Sequence, residues 1–161
     1  GGGAGGAPAF TTPPRPPRLG GPGLNGAIAG AVEGVHALAA LTTTTDLQAP
    51  TDGLTDGHKT VAIRVTQEAL QNVRKHAGAT IVGVSTRLED DTWVLEIRDD
   101  GRGFDIDAVA ARGRRNFGMQ FMRERAELIG ARFDVRSRPE GGTVVRLAIP
   151  MATSTGAGET T

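Results

Sequence analysis

The chain has 161 residues, enough for one domain with a real core. Its 18 Lys plus Arg balance 18 Asp plus Glu, so no charge bias points to nucleic acid or a membrane surface, and the lack of cysteine excludes disulfides, thiolate metal sites and thiol catalysis. No apolar run approaches the roughly 20 residues that span a bilayer, and the N-terminus carries no signal-peptide pattern, so a soluble piece is expected even if its parent is longer and membrane-bound.

Residues 1–22 are dominated by Gly, Pro, Ala and Arg and cannot bury enough apolar surface to fold, which predicts a linker or cloning remnant. Residues 151–161 form a small-residue polar tail with the same expectation of disorder, leaving 23–150 as the folded unit. Leu24, Ile28, Val32, Val35, Leu38 and Ala39 recur at helical spacing, predicting a helix from Leu24 to Leu41 that Gly26, Gly30 and Gly34 weaken. Threonine-rich Thr42–Ala49 reads as a strand that Pro50 ends. A turn-rich stretch then leads into a long helix, His58 to His76, stopped by Ala77-Gly78. Thr80–Glu89 and Thr92–Asp99 form a hairpin across Asp90-Asp91, and residues 101–116 lack periodicity, a long loop of the kind kept for function. A helix from Phe117 to Ile129 and strands Arg132–Arg138 and Thr143–Ile149 complete the chain. The helix from Phe117 carries an apolar arc of Met119, Met122, Ala126 and Ile129, with Phe117, Phe121 and Leu128 beside it, and is expected to bury it. This order predicts an α+β fold, a two-layer α/β sandwich with a mixed, mostly antiparallel sheet covered on one face by about three helices. It lacks the βαβα alternation of a doubly wound domain.

Chemistry concentrates in a few places. Side chains alternate faces along a strand, so Asp99 shares the apolar face of Trp93, Leu95 and Ile97, where an unpartnered carboxylate is costly. Gly101 and Gly103 follow at once and allow a sharp turn and a close backbone approach. An inward Asp ending a strand before Gly-x-Gly fits either a pocket for a polar ligand or a carboxylate capping a tight turn. On the long helix, Ala62, Ile63, Thr66, Ala69, Leu70 and Val73 share one face at about 100° per residue. Glu68, Asn72 and Lys75 fall on the opposite stripe, which reads either as solvated surface or as oxygen ligands for Mg²⁺ beside a cation for phosphate.

Four segments then resemble one family. Gln67-Glu68-Ala69-Leu70-Gln71-Asn72-Val73-Arg74-Lys75-His76-Ala77 looks like the N box of two-component sensor histidine kinases of the nitrate-sensor class. Asp99-Asp100-Gly101-Arg102-Gly103-Phe104 resembles the glycine box that follows it. Asn116-Phe117-Gly118-Met119-Gln120-Phe121-Met122-Arg123-Glu124-Arg125 resembles the segment closing the ATP lid, and Gly141 to Pro150 the terminal Gly-Thr strand. They stand in the family's order and spacing across about 24–150.

The resemblance implies a Bergerat-type ATP-binding fold, shared with gyrase, the mismatch-repair ATPases and a heat-shock chaperone. It implies that Asp99 receives the adenine amino group and that Thr143 helps through a water. Asn72 would ligate Mg²⁺ on the phosphates, Lys75 would meet a phosphate, and Glu68 would act as base or water-orienter, with a possible place on the metal. Gly101, Gly103, Asn116, Gly118 and Met119 would line the nucleotide, under a lid of about 103–118. His76 closes the N box, where it either orders phosphate contacts or is a helix C-terminal histidine stabilised by the dipole. Arg102, Arg112, Arg114 and Arg115 suit triphosphate charge, and Gly118 at a helix start would offer N–H donors to phosphate.

The sequence also departs from that pattern. Asp100 stands where many relatives have Asn, and Asn116-Phe117-Gly118 replaces a Gly-x-Gly. No segment resembles the Glu-Leu-His-Asp run of the dimerisation helices, His36 is expected to be structural, and His58 to be an exposed helix-start residue. The expectation is therefore a histidine-kinase catalytic domain that binds ATP and Mg²⁺ and phosphorylates a histidine on a separate dimerisation domain, for later transfer to a response regulator. Its setting would be cytoplasmic, in a parent that is a membrane-associated homodimer. The alternatives are an anti-sigma-type serine kinase of the same fold and a nucleotide-sensing module without transfer activity.

Overall fold

The computed structural model describes residues 23–103 and 117–151. Helix α1 (Gly23–Ala39) buries Leu24, Ile28 and Val32, one residue per turn along a single stripe. At its end His36 Nδ1 lies 2.5 Å from the Leu41 carbonyl oxygen, giving that histidine the structural place expected of it.

Strand β1 (Thr42–Leu47) is mostly exposed and stops short of the predicted Ala49, because the Ala49 N–H leaves the ladder and donates to Thr86 Oγ1 at 3.2 Å. Helix α2 (Asp56–Asn72) begins two residues before the predicted His58. Thr55 caps it: its Oγ1 accepts from the His58 N–H at 3.0 Å, and His58 Nδ1 accepts from the Thr55 N–H at 3.1 Å. This is a capping box with histidine where Glu or Gln usually stands.

The predicted single helix to His76 divides. Regular α-helix ends at Asn72, and Val73–Ala77 form a π turn that stops at Gly78 in the left-handed conformation, φ 60°. Strands β2 (Ile81–Glu89) and β3 (Thr92–Asp99) form the expected hairpin, and Asp90 and Asp91, at φ 50° and 64°, make its turn. Helix α3 (Phe117–Leu128), strand β4 (Arg132–Ser137) and strand β5 (Thr143–Pro150) follow.

The five strands form one sheet in the order β1-β2-β3-β5-β4, with β1–β2 parallel and every other pair antiparallel. The three helices cover one face. Val82, Val84, Trp93, Leu95, Ile97, Phe133, Val145, Leu147 and Ile149 meet Leu24, Ile28, Ala62, Ala69, Leu70, Met122 and Ala126 in a single core. The other face is polar, with Glu89 bridging Arg87 (2.7 Å) and Arg146 (2.9 Å), and Glu96 bridging Arg98 (3.1 Å) and Arg146 (3.7 Å). Surface pairs of this kind add little stability.

One packing expectation fails. Phe121 and Leu128 are 49% and 81% exposed, whereas Met122 and Ala126 are buried. At about 100° per residue, Phe121 and Leu128 sit roughly a quarter to a half turn away from the Met122–Ala126 stripe, so they miss the sheet.

Candidate nucleotide site

The topology brings the singled-out segments to one end of the sheet. Strand β2 begins just after the Gly78 stop, and its Val82 pairs with Asp99 at the end of β3, so the close of α2 and the close of β3 are neighbours. Asp99 pairs on its other side with Thr143, the first residue of β5. Helix α3 packs on β4 and runs into Arg132, which pairs with Ala148 at the far end of the sheet. Its first turn, holding Gly118 and Met119, therefore starts from the Asp99 end.

Asp99 is half-buried on the helix-covered face, as strand alternation predicts. Its Oδ1 accepts from the Gly101 N–H at 2.7 Å. Burial pushes its carboxyl above the ordinary carboxylate range; the Gly101 N–H opposes that, the Asp100 charge adds to it, and the Thr143 N–H opposes it more weakly. A carboxylate kept this way, partly desolvated and only partly satisfied by backbone donors, fits an incoming N–H donor.

Asp100 does something else. Its Oδ1 accepts from the N–H groups of Thr80 (2.8 Å) and Ile81 (2.9 Å), and its Oδ2 from the Thr80 hydroxyl (2.7 Å). These donors, the Ile81 N–H foremost, hold its carboxyl below the ordinary range. The side chain thus buckles the glycine turn to the start of β2.

The glycines are packed against the β4–β5 turn. Gly103 has φ +64°, and a Cβ there would run into the carbonyl oxygens of Arg138 and Gly142; the Arg102 carbonyl accepts from the Glu140 N–H. The Arg102 guanidinium meanwhile lies over Gly78, 3.3 Å from where a Cβ would stand. Glycine turn, π-turn stop and the β4–β5 turn are therefore one assembly.

On α2, Glu68 and Asn72 are half-buried one turn apart, and Lys75 is exposed on the π turn. Asn72 makes no side-chain capping bond to the turn it precedes, so its amide oxygen is available to a ligand. Two oxygen-bearing side chains at this spacing suit a hard cation. His76 lies in the π turn, and Gly118 and Met119 in the first turn of α3. Asn116 and lid residues 104–116, with Arg112, Arg114 and Arg115, fall outside the described residues.

The sequence reading passed over Ser137. It pairs with Thr143 across β4 and β5, and its Oγ lies 2.7 Å from Thr143 Oγ1. The sequence carries no signal for it: the predicted strand runs to Arg138, and only the observed register sets Ser137 opposite Thr143.

Residues 57–153 match the family model for histidine kinase-, DNA gyrase B-, and HSP90-like ATPases. The chain belongs to that ATPase family. It is 39% identical over 88 residues to the sensor protein VraS of Staphylococcus aureus, an alignment covering 55% of this chain and 24% of VraS. The chain thus spans about a quarter of the length of the curated relatives it matches. Among solved structures, it resembles the histidine kinase domain of the Erythrobacter litoralis EL346 blue-light activated histidine kinase, with TM-score 0.63 and 18% identity over 80% of this chain and 61% of that one. It also resembles the Acinetobacter baumannii histidine kinase AdeS, with TM-score 0.63 and 14% identity over 80% of this chain and 63% of the other. At such identities the structures establish the fold, a two-layer α+β sandwich with a five-stranded mixed sheet.

Proposed function

We propose that the chain is the ATP-binding catalytic domain of a sensor histidine kinase of the nitrate-sensor class. In this reading it binds Mg-ATP and passes the γ-phosphoryl group to a histidine on a separate dimerisation domain, from which a response-regulator aspartate takes it. The parent is a membrane-associated homodimer with this domain on the cytoplasmic side. The observation that carries the proposal is Asp99, a half-buried carboxylate held by Gly101 and paired with Thr143, at the sheet end where α2 also closes. The sensor-protein relatives support a kinase over the stand-alone serine kinase and the nucleotide-sensing module.

Roles follow from the chemistry of each group. Asp99 accepts the adenine amino group, and Thr143 assists beside it. Gly101 and Gly103 let the backbone approach the nucleotide. Asn72 would supply an oxygen to Mg²⁺, and Glu68, one turn earlier, would orient or deprotonate the attacking group, with a place on the metal open to it. Lys75 and His76 meet phosphate from the π turn, while Asn116, Gly118 and Met119 close the site from the lid side. Bound Mg²⁺ would supply charge neutralisation of the triphosphate. Phosphoryl transfer asks the protein for little more than position and compensating charge, which this set provides.

The test is transfer of label from γ-labelled ATP to the histidine of a supplied dimerisation domain. Labelling in the presence of this chain and Mg²⁺, lost with Asp99→Ala, is the expected outcome. Nucleotide binding without transfer to any such domain would contradict the kinase assignment.

A further inference from the structure

The end of the π turn is met by a side chain from the glycine turn. Val73–Ala77 stop at Gly78, φ 60°, and the Arg102 guanidinium lies against that glycine. From where a Cβ on Gly78 would stand, Arg102 Nη2 is 3.3 Å away, Nε 3.5 Å and Cζ 3.8 Å. Cζ is the farthest of the three, so the guanidinium turns its Nε–Nη2 edge toward the helix end. That edge carries two parallel N–H donors. The last carbonyls of a helix lack partners within it and form the negative end of its dipole, so a cationic pair of donors is well matched to this place.

The backbone of Arg102 is held from the opposite side. Its carbonyl accepts from the Glu140 N–H, and the next residue, Gly103, packs on the carbonyl oxygens of Arg138 and Gly142. Arg102 therefore spans the site, with its main chain on the β4–β5 turn and its side chain on the end of α2.

The π turn gives that span a consequence. An i→i+5 ring is wider than the α-helical ring, so successive side chains are separated by a smaller rotation than in an α-helix. Lys75, exposed on the π turn, lies three residues beyond Asn72. A return of Val73–Ala77 to α geometry would swing Lys75 around the helix relative to Asn72. Whatever holds the end of the turn thus sets where Lys75 points.

We propose that Arg102 is a positioning residue that holds the π turn from its C-terminal end and so keeps Lys75 aligned with Asn72 toward the phosphates. The inference rests on the nucleotide reading above and adds to it the residue that ties the phosphate end to the glycine turn.

The test is a double-mutant cycle on the full chain, read by calorimetric titration of ATP and of adenosine. Arg102→Gln should raise the Kd for ATP about fivefold, the scale of one charge at a helix end, and leave adenosine unchanged. Unchanged adenosine binding also shows that the variant is folded. Arg102→Lys, a cation without the paired N–H edge, should lie between wild type and Gln. In a Lys75→Ala background the Arg102→Gln loss should vanish, because the group that Arg102 positions is already gone. Additive losses would show that Arg102 meets phosphate itself and would overturn the positioning role. Unchanged ATP binding in Arg102→Gln, or equal losses for ATP and adenosine, would overturn it as well, while the nucleotide site stands if Asp99→Ala still loses ATP. Failure of the wild-type chain to bind ATP would overturn that reading and this inference together.

Discussion

Asp99, Thr143 and Ser137 stand on three adjacent strands, in a register set by the ladder and with hydrogen bonds from the protein itself. Glu68, Asn72 and Lys75 ride the last turns of a helix, half-buried or exposed, and Asn72 makes no capping bond. The two ends of the candidate site therefore differ in when they become organised. The strand end is set before a ligand arrives and can discriminate chemically, because a misplaced acceptor costs the full penalty of an unmet hydrogen bond. On the proposed roles, the helix end would complete its coordination only with phosphate and cation bound, and should set charge-dependent affinity rather than base identity.

Four changes probe that contrast. Asp99→Ala should act most strongly, raising the Kd for ATP by about ten- to hundredfold, the worth of a hydrogen bond to a charged group. It should do so in Mg²⁺ and in chelator alike, as calorimetric titration would show. The same variant should not lower the melting temperature at neutral pH. Burial raises the Asp99 pKa, so the native fold favours the protonated form, and the stability this adds is present below the ordinary value of 3.8 and lost as pH rises through the folded pKa. Gly103→Ala follows, since it forces a side chain into a left-handed backbone and into two carbonyls; a stability loss of about 1–3 kcal/mol by denaturant unfolding is expected, with weaker nucleotide binding.

Asn72→Ala should weaken ATP binding by about tenfold with Mg²⁺ and little without it, matching the loss of one ligand oxygen. Equal losses in both conditions would erase the distinction between the two ends. Asp100→Ala should act least, lowering the melting temperature without changing the preference for the base. Its donors hold the folded pKa below 3.8, so the stability it gives is present above that value and lost as pH falls through the folded pKa. Wild type and variant should therefore converge in acid, which melting curves across pH would read.

Much of this was legible in the sequence. Alternation along Thr92–Asp99 put Asp99 on the covered face, and the helical period separated Ala62, Thr66 and Ala69 from Glu68 and Asn72; both divisions hold in the structure. These signals are strong because a slip of one residue in a strand exchanges its faces. What escaped depends on contacts between segments. The His58 cap used an unusual partner, the π turn after Asn72 leaves no periodic trace, and the Asp100 buckle joins residues 20 apart in sequence. Phe121 and Leu128 were expected to be buried because their arc is apolar, but they lie off the Met122–Ala126 stripe that is covered. Ser137 became visible only with the register of β4 on β5.

The most direct measurement is a calorimetric titration of the full chain with a non-hydrolysable ATP analogue, with and without Mg²⁺, beside Asp99→Ala. Saturable binding that Mg²⁺ strengthens and that Asp99→Ala weakens by about ten- to hundredfold in both conditions is the predicted result. Binding to Asp99→Ala as tight as to the wild type would contradict the account.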